Sequence, residues 1–148
     1  MSYVNLNYHI ILGTKYQEPT IEESIEERLY AYIGGILRNR DGVLLAAGGT
    51  ADHVHLLASL HQTTDVASVV RDIKSNANQW INDLEDYPHD FQWKVTYGAF
   101  TVSRSGIPDV SRYIENQKEH HRRKSFRREF TQYLEKHDVD YDEQYLWE

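Results

Sequence analysis

The sequence predicts an α+β fold of the ferredoxin-like kind: a β-α-β-β-α-β antiparallel sheet with a further helix and a tail added at the C-terminus. Three observations carry this. Segments 3–12 and 51–60 alternate apolar and polar residues with a period of two, as half-buried strands do. Segments 21–37 and 66–81 repeat apolar residues at helical spacing. These periods occur in the order strand, helix, two strands, helix, strand, within 148 residues, the size of one domain. Residues 1–148 therefore read as a single domain, with an acidic tail over 128–148 and no repeat or linker.

The elements follow in order. Val4, Leu6, Tyr8, Ile10 and Leu12 share one face of a first strand over Tyr3 to Leu12, opposite Asn5, Asn7 and His9, with Gly13 as its end. Thr20-Ile21-Glu22-Glu23 has the form of a capping box. It opens a helix with Ile21, Ile25, Leu29, Tyr32, Ile33, Ile36 and Leu37 on its buried stripe, ending near Asn39 to Gly42. Val43 to Ala47 is a short strand, and Gly48-Gly49-Thr50 a turn into its antiparallel neighbour. Thr64 or Asp65 caps a second helix that buries Val66, Val69, Val70, Ile73, Ala77, Trp80 and Ile81. Val95 to Ser103 is a fourth strand. Pro108 opens a third helix running to about Arg123, and Ser125 caps a fourth through Lys136. Val139 to Glu148, with Tyr141, Tyr145, Leu146 and Trp147, reads as a strap packed on this chain or another subunit.

Composition narrows the chemistry. There are no cysteines, which excludes disulfides, thiolate metal sites and cysteine nucleophiles together. No apolar run is long enough to span a membrane and no signal peptide opens the chain, so a cytoplasmic protein with no membrane partner is expected. The net charge of −7 argues against a nucleic-acid partner when taken alone, but the charge is unevenly placed. Lys118, Arg122, Arg123, Lys124, Arg127 and Arg128 crowd one short run against Glu119 alone, and a polyanion responds to the local field. Arg122, Arg123 and Lys124 are candidate DNA-backbone contacts, as are Arg71 and Lys74 on the polar side of the second helix.

The residues with the most chemistry are His53 and His55. On a strand both imidazoles project from one face, opposite Val54, Leu56, Ala58 and Leu60, within reach of one cation. Paired histidines on a strand are also common as ordinary half-buried residues. Asp52 points to the opposite face of a regular strand and is not counted as a ligand. His120 and His121 read as surface histidines, with backup ligands or phosphate contacts as the alternative, and Tyr8 and Tyr97 as structural tyrosines. On the third helix Tyr113 and Gln117 are four apart and share a face with Val110 and Ile114 close by, so that face turns inward.

His53-Val54-His55 resembles the His-hydrophobe-His motif of HUH nucleases. Tyr113-Ile114-Glu115-Asn116-Gln117 resembles the nucleophile helix of one branch: the small single-tyrosine transposases of bacterial insertion sequences, including relatives associated with REP elements. Further similarity runs through Tyr8-His9-Ile10-Ile11, Val70-Arg71-Asp72-Ile73-Lys74, Tyr97-Gly98-Ala99-Phe100 and Asn116-Gln117-Lys118-Glu119-His120-His121. The resemblance implies that His53, His55 and Gln117 bind a divalent ion and that Tyr113 is the nucleophile. It implies cleavage and rejoining of single-stranded DNA at the hairpin ends of a mobile element, through a 5′-phosphotyrosine intermediate. It also implies a homodimer, with composite active sites built from both subunits. The ligand types suit Mg²⁺ or Mn²⁺, and two imidazoles favour Mn²⁺. The alternative is a non-catalytic or domesticated single-stranded nucleic-acid-binding regulator on the same fold.

Overall fold

The computed structural model describes residues 2–147; the last residue of the expected tail, Glu148, lies outside them. Four strands form one antiparallel sheet: β1 (Asn7–Thr14), β2 (Val43–Thr50), β3 (His53–Ser59) and β4 (Trp93–Thr101), in the order β2-β3-β1-β4. Helices α1 (Glu26–Arg38) and α2 (Val66–Asn82) connect β1 to β2 and β3 to β4. This is the ferredoxin-like arrangement.

Alternation puts Leu56 of β3 beside Ile10 of β1, and Val54 beside Leu12, on the face that α1 and α2 cover. Leu29, Ile33 and Leu37 of α1 and Val69, Ile73, Ala77 and Ile81 of α2 close this core. Asp65 caps α2, its carboxylate accepting from the Ser68 backbone N–H at 2.8 Å. The opposite face is covered by α3 (Ile107–Glu115), α4 (Gln117–His120) and α5 (Phe126–Lys136), with a last turn, α6 (Glu143–Leu146). The molecule thus has three layers, with the sheet in the middle. Among the described residues, no helix is long and apolar enough to cross a membrane.

Several boundaries differ from the sequence expectation. The first strand starts at Asn7 rather than Tyr3, because pairing on its two sides begins only at Asn7 with Ser59 and at Tyr8 with Thr101. Gly13 continues the strand opposite His53. The capping box does not form: a 3₁₀ turn at Glu23–Ile25 precedes α1, whose N-cap, Ile25, offers no side-chain oxygen. Gly48, Gly49 and Thr50 belong to β2, and Ala51-Asp52 makes the turn. The third helix breaks at Asn116 (φ −103°, ψ 24°), a residue type that leaves helical geometry readily. Gly34 and Gly35, inside α1, have only ordinary van der Waals contacts around them. The C-terminal strap folds back on its own chain, Tyr141, Leu146 and Trp147 packing against Phe126, Phe130 and Leu134.

Candidate metal and nucleophile site

The period of β3 sends His53, His55 and Leu57 to the face away from α1 and α2, where both imidazoles are fully buried. Their rings lie 5.2 Å apart between centroids. Register fills the rest of this face. His55 is flanked by Gly48 on β2 and Ile11 on β1, and Gly98 on β4 continues the row. The two glycines are required by what lies above them. A Cβ on Gly48 would sit 2.0 Å from the Ile114 carbonyl oxygen, and one on Gly98 2.6 Å from the Phe130 ring. The missing side chains let α3 and α5 settle onto the sheet on either side of the histidines.

These helices deliver the remaining groups. Gln117 Oε1 lies 2.9 Å from His53 Nε2, while its amide nitrogen donates to the Tyr113 carbonyl at 3.3 Å. Glu129 of α5, 2 % exposed, reaches into the centre of the cluster. Its Oε1 lies 2.9 Å from His55 Nε2, 3.1 Å from His121 Nε2 and 3.6 Å from His53 Nε2. Its Oε2 accepts the Tyr113 hydroxyl and lies 3.2 Å from His120 Nε2. The Tyr113 ring stands 5.8 Å from that of His55, in the same chain. Tyr113, His53, His55 and Gln117 are therefore together on one side of the sheet.

The outer nitrogens of the two histidines are also held. Asp52 Oδ1 lies 2.7 Å from His53 Nδ1 and accepts from Thr50 Oγ1 at 2.9 Å. A carboxylate at Nδ1 favours the tautomer with the proton there, which turns Nε2 toward Gln117 and Glu129 as an acceptor. Three acceptors around one point are stable only with a proton or a metal ion among them. His9 Nε2 lies 2.7 Å from His55 Nδ1, orienting the second imidazole from β1.

Burial dominates the electrostatics. It lowers His9 to a pKa of about 3, with His55 adding to the effect, and lowers His55 to about 4 against the opposing pull of Glu129. Burial alone would raise Glu129, but hydrogen bonds from His121 and His55 outweigh it and hold the carboxyl well below the usual range. Tyr113 is pushed above its ordinary value by burial and by its bond to that carboxylate. At neutral pH the centre therefore holds neutral His9 and His55, an ionised Glu129 and a protonated Tyr113.

Among the described residues, His53, His55, His121 and Glu129 present ligand atoms that all lie within 4.8 Å of one another. Sequence reasoning put Glu129 in the acidic tail without a site role, favoured the surface for His121 and put Asp52 on the other face. The available signal was helical spacing: Glu129 lies three after Phe126, one before Phe130 and four before Tyr133, within the apolar stripe of α5.

The candidate DNA contacts divide. Arg123 lines a cleft of about 360 Å³ with Arg112, Asn116, His120 and Tyr113, and Arg122 is exposed nearby, 3.2 Å from Glu119. Lys124 is bonded to Gln132. Arg71 and Lys74 sit on α2, in the opposite layer, and do not converge on the site. Lys74 donates to the Lys94 and Val95 carbonyls at 2.6 and 2.9 Å, which commits it to the β4 backbone.

Comparison with known proteins bears on the fold and the family. No curated protein matches the chain. A solved structure of a candidate transposase from Deinococcus radiodurans R1 superposes with a TM-score of 0.61 at 24% identity, covering 79% of this chain and 95% of that one. A REP-associated tyrosine transposase bound to a REP hairpin superposes with a TM-score of 0.58 at 15% identity, covering 77% and 67%. At these identities the two structures speak to the fold. The family described as "Transposase IS200 like" matches residues 2–117, a span that holds β1 to β4, the two histidines, Tyr113 and Gln117. The chain belongs to the IS200-like transposase family.

Proposed function

We propose that this protein cleaves and rejoins single-stranded DNA, with Tyr113 as nucleophile and a divalent ion, Mn²⁺ or Mg²⁺, held by His53, His55 and Gln117. The observation that carries the reading is the placement of the Tyr113 hydroxyl beside the buried imidazole pair, with the Gln117 carbonyl oxygen on the same spot. The donors fit an ion: buried, and turned at one another. When bound, it polarises the scissile phosphate and stabilises charge developing on its oxygens.

The residues of the chain do the rest. The Tyr113 oxygen attacks phosphorus, the P–O3′ bond breaks, and a 5′-phosphotyrosyl link forms, the proton lost from the phenol being balanced by the one taken up at the 3′ oxygen. Reversal by a new 3′-hydroxyl rejoins the strand, so bond energy is conserved. Asp52 and His9 hold the two imidazoles in the ligating orientation. Arg122, Arg123 and Lys124 supply positive field beside the nucleophile, where phosphates approach. A hairpin at the end of a mobile element is the substrate that the family membership favours. A homodimer remains compatible with this geometry, but one chain brings its own tyrosine to its own histidines.

The test is covalent capture. Labelled single-stranded DNA carrying the palindromes that flank the gene is incubated with the protein and Mn²⁺, then denatured. A protein–DNA adduct is expected, lost with Tyr113→Phe and with a chelator. An adduct formed by Tyr113→Phe at the wild-type rate overturns the assignment.

A further inference from the structure

We propose that Glu129 and His121 are ligands to the same divalent ion, making a centre with three imidazoles and one carboxylate. The proposal rests on the reading above only in placing an ion at His53 and His55. Both added residues lie beyond residue 117, where the family match ends.

The distances carry it. Bonds of about 2.0–2.2 Å to nitrogen and oxygen put neighbouring ligand atoms of one ion roughly 2.8–3.1 Å apart in octahedral and roughly 3.3–3.6 Å apart in tetrahedral geometry. Glu129 Oε1 lies 2.9, 3.1 and 3.6 Å from the Nε2 atoms of His55, His121 and His53. Those are the edges of such a polyhedron. The second carboxylate oxygen is occupied by Tyr113, which leaves Oε1 to face the imidazoles. The helix is anchored: Ser125 Oγ caps α5 by accepting from the Arg128 N–H at 3.2 Å, and Phe126 and Phe130, which flank Glu129 in sequence, are buried in one cluster with Ile11 and Phe100.

Two consequences follow. A carboxylate reduces the formal charge of the centre from +2 to +1 and raises its affinity for hard cations. Three nitrogen donors move selectivity away from Mg²⁺ toward Mn²⁺ or Zn²⁺. Glu129 also ties the nucleophile to the metal centre through one side chain, so loss of the carboxylate releases Tyr113.

The experiment is calorimetric titration of the full chain with Mn²⁺, Zn²⁺ and Mg²⁺, with a Mn²⁺-soaked crystal of the wild type read by anomalous scattering. Glu129→Gln is expected to weaken Mn²⁺ binding by about 100-fold and His121→Gln by about tenfold, with Mg²⁺ the weakest of the three ions throughout. His121 lies at the rim, its side chain 10 % exposed, so its variant keeps the test open should the buried one fail to fold. The soaked ion is expected within bonding distance of Glu129 Oε1. An ion bound to His53, His55 and Gln117 with Glu129 turned away overturns this proposal and leaves the proposed function standing, as does unchanged affinity in both variants. No ion bound to the wild type overturns both.

Discussion

The two faces of β3 are built from neighbouring residues and do opposite work. Val54, Leu56 and Ala58 are fully buried among aliphatic side chains from α1 and α2. His53 and His55, one residue away along the strand, are equally buried, but among titratable groups. Burial is the same; its meaning differs. On the apolar face it supplies the hydrophobic driving force. On the polar face it removes water from groups that must then satisfy one another, which fixes tautomers, shifts protonation and prepares a charge-binding centre. Stability and chemistry are separated by one period-two step.

The largest effect expected from pressing on this contrast comes from the apolar side. Leu56→Ala should cost about 2–5 kcal/mol, read by denaturant unfolding, with Mn²⁺ affinity of the folded fraction unchanged. If metal affinity falls in step with stability, the faces are coupled and the separation is wrong.

Acid should act through the other face. His9 and His55 lie at about 3 and 4 in the folded chain, below their ordinary 6.5, so the unfolded chain takes up protons first. Their contribution to stability is complete above pH 6.5 and is lost as the pH falls toward 4. Melting temperature measured with chelator present should fall steeply across that window, and Leu56→Ala should keep the same slope. A flat profile between pH 7 and 5 would show that these rings are charged or hydrated in the fold.

The smallest effect concerns the outer surfaces of the two helical layers. Arg123→Ala, beside the Tyr113 cleft, should weaken single-stranded DNA binding and lower the salt slope by about one. Arg71→Ala, on the far layer, should change neither. Equal losses would place the strand across both layers.

Much of this was legible beforehand because it depends on local periodicity. The alternation at 53–60 separates the two faces, and the Tyr113–Gln117 spacing puts those side chains one turn apart, even across the break at Asn116. Strand and helix ends were less legible. Gly48-Gly49-Thr50 looks like a turn by composition, yet Gly48 is glycine because a helix backbone crosses it. Arg71 and Lys74 are polar on a helix, but nothing local says which layer that helix occupies.

Glu129 shows the limit most clearly. In sequence it begins an acidic run; in the fold it bonds His55, 74 residues away. His9 meets His55 across 46 residues by strand register. The sequence by itself determined the element order and the two-faced strand, because these follow from spacing along a strand or helix; the roles of the histidine, tyrosine and glutamine set were implied by the family resemblance. Only the tertiary structure decided that α5 docks on the histidine face and brings a carboxylate to its centre. That docking depends on the fit of Phe126 and Phe130 against a sheet opened by glycine, a packing relation between distant segments that no local pattern encodes.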